Sequence, residues 1–333
     1  MYKQKEIALK LIGLLFIFYF ILSQAVFAKG IIKDNSNAKT ESITAQPNHY
    51  CEHQQWLDKT YCHFFYGIDS AANTLNDWSR HEGSNLNSEA STSGRLRFGW
   101  EPRSGDFSAL DFRFKIRVKL PALEERVELV LSDQEDDVNG QELKAARSEE
   151  LGNNKDQAVV ALQFKRSAED KVSYRVGFGR GSQIYTRARY SDMHRLSPDS
   201  TLRYFAEANY YSEDELGTEL NAEFAHVFTP KLAYELSNSF RYRNKSNDWL
   251  WRHEMQLIYM GKNNSSYLFT AMIDGLSQPN YRKEQMLLSM RYKKQVLREW
   301  LYLELEPYIL YLRREDFRPS IGIALRAEVH FST

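Results

Sequence analysis

The chain has 333 residues with 44 basic and 44 acidic side chains, so its formal net charge is zero. This balance excludes a protein that binds nucleic acid through a basic surface. Aromatic residues make up 14% of the sequence although the mean hydropathy is negative. A membrane β-barrel combines a high aromatic content with a negative mean hydropathy, because its inner face is polar and its rims are aromatic.

The first residues are typical of an export signal. A basic start precedes the apolar run Leu11–Leu22, which is shorter than the roughly 20 residues that span a bilayer as a helix. Ala25-Val26-Phe27-Ala28 places small or short side chains, Val26 and Ala28, three and one positions before a cut after Ala28. Residues 1–28 are therefore predicted to be a cleaved signal peptide, with an uncleaved membrane anchor as the alternative.

Residues 29–93 are predicted to form a small periplasmic segment. Residues 29–48 are polar, residues 49–80 carry large apolar side chains at mixed helical spacings, and residues 82–93 are typical of a linker. A barrel wider than eight strands leaves interior space, so this segment can plug the lumen.

Cys51 and Cys62 are the only cysteines. In an oxidising periplasm they are predicted to form a disulfide. One continuous helix would hold them roughly 16 Å apart, beyond the about 4.4–6.8 Å between the Cα atoms of a disulfide, so the bond requires a bend. A metal site that adds His53 and His63 is the alternative, but the spacing is not a common zinc pattern. We expect no metal and no cofactor.

From about residue 94 the pattern changes to strict alternation. Leu110–Leu120 has an apolar residue at every even position and a charged residue at every odd one. Ile321–Phe331 has an apolar residue at every odd position, opposed by Gly322, Ala324, Arg326, Glu328 and His330. Successive side chains of a strand point to opposite faces, so each segment has one apolar and one polar surface. Each is as long as the 9–11 residues of a tilted transmembrane strand. The sequence predicts an all-β fold, a closed antiparallel transmembrane β-barrel over residues 94–333.

Fourteen strands are predicted, an even number as bacterial barrels require; twelve is the alternative, because the fifth and sixth are weakest. If both chain ends are periplasmic, the longest loop, 133–156, lies outside and the short turns at 196–200 and 228–231 lie inside. The acidic loop residues 133–140 either hold a divalent cation or form solvated surface. The predicted strands are 95–101, 109–120, 124–132, 157–166, 171–180, 184–192, 201–211, 218–228, 231–243, 249–260, 266–275, 282–293, 299–312 and 319–331.

The last strand carries an assembly pattern, in which a polar residue and a glycine precede apolar positions that end at a late aromatic. It resembles the signal that the barrel-assembly machinery recognises when an extended peptide adds to an exposed strand. The usual signal ends on its aromatic residue, whereas Ser332 and Thr333 follow here. The pattern consists of Ser320, Gly322, Leu325, Ala327, Val329 and Phe331.

Residues 94–331 also resemble a family of uncharacterised proteobacterial outer-membrane proteins. The resemblance rests on Arg95–Trp100, Leu110–Leu120, Trp300–Pro307 and Arg318–Gly322. It implies a barrel in the cell outer membrane of a Gram-negative bacterium, with outer-membrane lipid and lipopolysaccharide around it. It implies no activity.

Charged residues on the polar face are predicted to line the lumen, with basic side chains on the first two strands and acidic ones on the seventh to ninth. Opposed charges across a pore create a field that selects polar solutes. The alternative is simple pairing between neighbouring strands, as for Arg291 and Lys293 with Glu304 and Glu306. The predicted lumen residues are Arg95, Arg97, Arg113, Lys115, Arg117, Lys119, Glu207, Glu219, Glu223 and Glu235.

Two functions remain, a passive channel for small polar solutes (or a structural barrel with a closed pore) and a lipid-modifying enzyme. Outer-membrane phospholipases use serine and histidine on the lipid side of the wall. His226 and His253 fall on the apolar face, but Ser237 and Ser239 fall on the polar face. The sequence therefore favours the channel or structural barrel, and we expect no enzyme.

Overall fold

The computed structural model describes residues 56–78, 89–121, 127–133, 143–146, 159–165, 167, 170–179 and 183–332. All of them belong to one compact unit, residues 45–333. The predicted signal peptide, Cys51 with His53, and most of the acidic loop lie outside the described residues.

The described residues contain fourteen antiparallel strands that form a closed ring. Each strand pairs with its neighbours in the chain, and β1 pairs with β14 to close the ring. The predicted fold is confirmed, and fourteen strands are present rather than twelve. The strands are β1 Ser91–Trp100, β2 Leu110–Lys119, β3 Val127–Ser132, β4 Val159–Lys165, β5 Val172–Phe178, β6 Ile184–Ser197, β7 Ser200–Tyr211, β8 Glu215–Thr229, β9 Leu232–Arg243, β10 Asp248–Met260, β11 Ser265–Leu276, β12 Arg282–Gln295, β13 Leu301–Leu312 and β14 Pro319–Ser332.

The alternation of β2 shows which face of the wall points outward. Phe112 is 56% exposed, whereas the neighbouring Arg113 is only 4% exposed and pairs with Asp111 inside the ring. Apolar side chains therefore cover the outside and charged side chains line the inside. Because unpaired backbone groups are costly in lipid, a sheet with this outer surface has to close on itself.

The two ends of the barrel differ. At the end where β1 begins and β14 ends, here called the terminal end, the turns are tight: Ser197 pairs with Ser200, and Thr229 pairs with Leu232. The long connection between β3 and β4 leaves the opposite end, here called the loop end. Short turns on one side and a long loop on the other follow the predicted asymmetry.

One α-helix, α1 (Trp56–Trp78), occurs among the described residues. Its buried stripe faces the barrel and consists of residues three, four or seven positions apart, which share one side of a helix: Asp58, Cys62, Phe65, Ala72 and Asn76. No helix in the described part of the chain is both long and apolar enough to cross a bilayer.

Helix α1 packs against the outer surface of the wall at the terminal end. The rings of Phe64 and Phe65 meet the ring of Phe331 edge-on, with centroids 5.9 and 6.2 Å away, and leave it 5% exposed. Further along the helix, Ala72 joins a buried cluster with Val118 and Leu120. Phe331 and Val118 lie on the outward face of β14 and β2, so this contact is not that of a plug inside the lumen.

Polar contacts fix the start of the same helix. The carboxylate of Asp58 accepts two hydrogen bonds of 2.7 Å from Arg298, in the connection between β12 and β13. The ring of Tyr61 stacks on Trp300 with centroids 4.3 Å apart. Cys62 is buried and disulfide-bonded, while Cys51 lies outside the described residues, so the predicted pairing stays a prediction.

Candidate functional site in the barrel lumen

A short segment of the long β3–β4 connection folds into the barrel. Lys144–Ala146 forms one turn of 3-10 helix. Leu143 and Ala146 are fully buried against inward-facing apolar side chains of the wall. These wall residues are Met272, Leu287, Tyr308, Leu310, Leu312 and Ala324.

Hydrogen bonds with Glu101, β2 and β12 hold this turn in place. The backbone N–H of Lys144 donates to Glu101 Oε2 at 2.6 Å, and the Nζ of Lys144 donates to the carbonyl of Leu110 at 2.6 Å. On the far side, Gln285 Nε2 donates to the carbonyl of Ala146, also at 2.6 Å. The turn is therefore fixed to the wall on both sides and occupies part of the lumen near the loop end.

Glu101 also belongs to a buried charge cluster, here called the Arg326 cluster. Arg326 pairs with Glu101 at 2.7 Å, with Glu304 at 3.6 Å and with Glu306, all with side chains almost fully buried. Arg291 adds a second cation to Glu306 at 2.8 Å. The cluster joins β13 and β14 to the end of β1 across the ring closure, and Glu101 links it to the inward-folded turn.

Two of the predicted basic lumen residues are buried beside this cluster. Arg97 and Arg113 both reach Asp111, at 3.3 and 3.0 Å. Arg97 also faces Glu328 across the strand pair.

The other predicted basic residues lie nearer the terminal end on the same inward face. Arg95 lies opposite Lys115 in the β1–β2 pairing, with Arg117 and Lys119 following along β2. Arg117 reaches Glu128 at 3.7 Å and its side chain is 52% exposed. Solvent therefore reaches Arg117 although it lies on the inward face of the wall.

The predicted acidic residues each pair with an arginine, on an adjacent strand for Glu207, Glu219 and Glu223 and two strands away for Glu235. The pairs are Glu207 with Arg187 and Arg189, Glu219 with Arg241, and Glu223 and Glu235 with Arg203. Arg291, Lys293, Glu304 and Glu306 pair as the alternative predicted. Neighbour pairing therefore accounts for these acidic side chains, and a field across the pore stays a prediction.

The residues of the assembly pattern divide between the two faces. Ser320 and Gly322 lie inward, whereas Leu325, Ala327, Val329 and Phe331 lie on the outward face. A Cβ at Gly322 would lie 2.3 Å from the ring of Tyr308 and 2.8 Å from the carbonyl of Pro102, so only glycine fits. Recognition by the assembly machinery stays a prediction.

The histidines considered for lipid chemistry find other partners. His226 Nδ1 lies 2.8 Å from the Oγ of Ser200, a contact that the sequence analysis did not anticipate, and His253 Nδ1 lies 2.6 Å from Asn238. Ser237 instead accepts from Asn221. A serine nucleophile needs a base that a third polar group orients, whereas the ring of His226 meets Phe228 edge-on at 4.7 Å.

No group of three or more metal-ligating side chains is found within the described ranges. His63 Nδ1 instead contacts the carbonyl of Lys59 at 2.7 Å.

A closed ring with an apolar outside, a charged inside and loops of unequal length defines a transmembrane β-barrel of the outer-membrane type. Solved structures similar to this chain include the KdgM porin (TM-score 0.35, 8% identity, 71% of this chain and 99% of that chain). The outer-membrane channel DcaP of Acinetobacter baumannii has a TM-score of 0.46 with 6% identity over 76% of this chain and 99% of its own. OmpT, an outer-membrane protein of Vibrio cholerae, has a TM-score of 0.43 with 8% identity over 74% and 99%.

No family model matches the chain, and no curated protein matches it significantly. The resemblance to a family of uncharacterised proteobacterial outer-membrane proteins therefore stays a prediction.

Proposed function

We propose that the chain is a passive channel for small polar solutes in the outer membrane. The inward side chains of Arg117 and Arg203 support this most directly, because both are about half exposed although they lie inside the ring. An eight-stranded barrel is just filled by its own side chains, and fourteen strands enclose more space. Solvent that reaches these charges gives a polar path through the terminal half.

The inward-folded turn then sets the narrow part of the path. Lys144–Ala146 occupies the loop half, against the wall and beside the Arg326 cluster. A solute has to pass between this turn and the charged side chains of the wall. Small size and polarity are therefore the properties that the lumen selects.

Single-channel recording in planar bilayers tests the proposal. The unmodified protein is expected to give discrete conductance steps. Replacing residues 143–146 by Gly-Ser-Gly-Ser removes the buried Leu143 and Ala146 contacts and is expected to raise the conductance. The same replacement at 244–247, an exposed turn at the same end of the barrel, is the matched control and is expected to leave it unchanged.

Absence of steps from correctly folded protein would contradict the channel and favour a structural barrel. Equal conductance in the two replacement variants would contradict the role of the turn. Phospholipid hydrolysis by the purified protein would support the alternative of a lipid-modifying enzyme, which the geometry around His226 does not favour.

A further inference from the structure

Helix α1 has more than the one apolar face that packs on the barrel. At 3.6 residues per turn, a second row of apolar side chains runs along one side of the buried stripe. These side chains are half-buried or exposed, and Trp78 at the end is 84% exposed. The row consists of Leu57, Phe64, Ile68, Ala71, Leu75 and Trp78, and we call it the apolar flank.

The opposite side of the helix is mostly polar. Lys59, His63, Ser70 and Asp77 are exposed there, and Asn73 lies at its edge. Two exposed aromatic residues, Trp56 and Tyr66, lie on the same side. We call this side the polar flank. Phe64 and Leu75 of the apolar flank also contact the wall, but Ala71 and Trp78 remain exposed, so packing on the barrel alone does not explain the apolar composition of the whole flank.

Three contacts show how the flanks are oriented. Asn73 Oδ1 accepts a 2.9 Å hydrogen bond from the backbone N–H of Ala90, which precedes β1 and so lies beyond the end of the wall. Leu75, on the apolar flank, packs against the buried cluster of Ala72, Ala90, Val118 and Leu120, and Phe64 on the same flank meets the ring of Phe331. The apolar flank therefore adjoins the outward apolar face of β2 and β14, whereas the edge of the polar flank bonds to the backbone that precedes β1.

We propose that the apolar flank of α1 inserts into the phospholipid leaflet at the terminal end of the barrel. The flank adjoins the terminal end of the outward apolar surface of β2 and β14, where Phe64 contacts Phe331 and Leu75 packs with Val118 and Leu120. An amphipathic helix in this position buries its apolar side at the boundary of headgroups and acyl chains. Tryptophan at its end suits the same depth. This inference rests on the membrane barrel and is independent of channel activity.

Tryptophan fluorescence in lipid nanodiscs tests the proposal on the full chain. Phe64→Trp adds a reporter on the apolar flank, and His63→Trp adds one on the polar flank at the adjacent residue. The added emission of each variant over the parent is measured in phosphatidylcholine and in phosphatidylcholine brominated on its acyl chains. The Phe64→Trp signal is expected to be blue-shifted and mostly lost in the brominated lipid.

The control variant should behave in the opposite way. The added emission of His63→Trp is expected to survive brominated lipid and to be quenched by aqueous iodide. Equal quenching of the two reporters by the lipid would overturn the orientation, and equal quenching by iodide would overturn insertion. Unchanged heat resistance of both variants on gels establishes that the barrel is folded in each.

Discussion

At the scale of single residues, the Arg326 cluster is the most consequential part of the wall. Arg326 is fully buried with three carboxylates, those of Glu101, Glu304 and Glu306, within ion-pair distance. Each of these carboxylates is itself buried. Removing one partner of a buried ion pair leaves an uncompensated charge, which costs more than the pair contributes when intact.

Arg326→Met is therefore expected to destabilise the barrel by roughly 3–5 kcal/mol. The methionine fills most of the space but leaves the carboxylates without their shared cation. The loss in the free energy of unfolding is measured by urea titration in phospholipid vesicles, with tryptophan emission as the signal.

Arg203→Met is the matched control on the same face of the ring. Arg203 also bridges two glutamates, but its side chain is 51% exposed. Water screens the remaining charges, so a cost of roughly 0–1 kcal/mol is expected. Equal losses for the two variants would show that burial does not decide the contribution of these pairs.

The sequence accounts for part of this cluster. Alternation in β13 and β14 puts Glu304, Glu306 and Arg326 on the polar face, and cross-strand pairing follows from their neighbourhood. Glu101 was not among the predicted lumen residues, although the predicted first strand ended at residue 101; in the structure it lies just past the end of β1. Its role depends on ring closure and on the inward-folded turn, and neither is visible in local periodicity.

At the scale of elements, helix α1 depends on a buried aromatic contact. Tyr61 stacks on Trp300, and its hydroxyl donates to the carbonyl of His330 at 3.4 Å. Burial raises the pKa of Tyr61 from 10.0 to about 12. The neutral phenol is therefore the form that the docked helix favours.

Docking of α1 is expected to weaken as the pH rises from about 10 to about 12. The sign follows from linkage, because the pKa of Tyr61 is higher in the folded protein than in the unfolded chain. The contribution of the neutral phenol to docking is therefore complete below pH 10 and is lost as the phenol ionises. The protein is held at each pH, diluted to one common assay pH and treated briefly with trypsin. Cleavage after the exposed Lys59, measured by mass spectrometry, reports the fraction of molecules in which α1 stays undocked.

Tyr61→Phe is the control for that titration. Phenylalanine keeps the stacked ring but has no ionisable hydroxyl. The extent of trypsin cleavage after Lys59 is therefore expected to be the same at every pH in this window. An equal rise in the variant would assign the pH dependence to another group.

Prediction from sequence was strongest for the strands and weakest for what packs on them. Alternation alone located segments such as Leu110–Lys119 and Leu301–Leu312. Helix α1 carries both the buried stripe and the apolar flank, so its apolar residues recur at mixed spacings. For this reason the sequence does not show which side of the helix contacts the barrel. Leu143 and Ala146 belong to a segment too short to have a period.

At the scale of the whole molecule, closure of the ring depends on the pairing of β1 with β14, here called the seam. Eight residue pairs from Ser93 and Ser332 to Trp100 and Leu325 join the first strand to the last. Helix α1 lies across the outside of this seam at the terminal end, and the Arg326 cluster lies inside it. Apolar contact on one side and buried ion pairs on the other reinforce the only junction that is not local in sequence.

Disulfide trapping across the seam tests closure most directly. Phe98 and Ala327 are partners on the outward face, at the Cα separation of about 4.5–5.5 Å of antiparallel pairs, within the range of a disulfide. Oxidation of Phe98→Cys/Ala327→Cys in lipid is expected to link the two ends of the chain, seen as altered migration of the denatured protein without reductant. Phe98→Cys/Ile323→Cys, displaced by four residues along β14, is expected not to link. No link in the first pair, or equal linking in both, would contradict a closed ring.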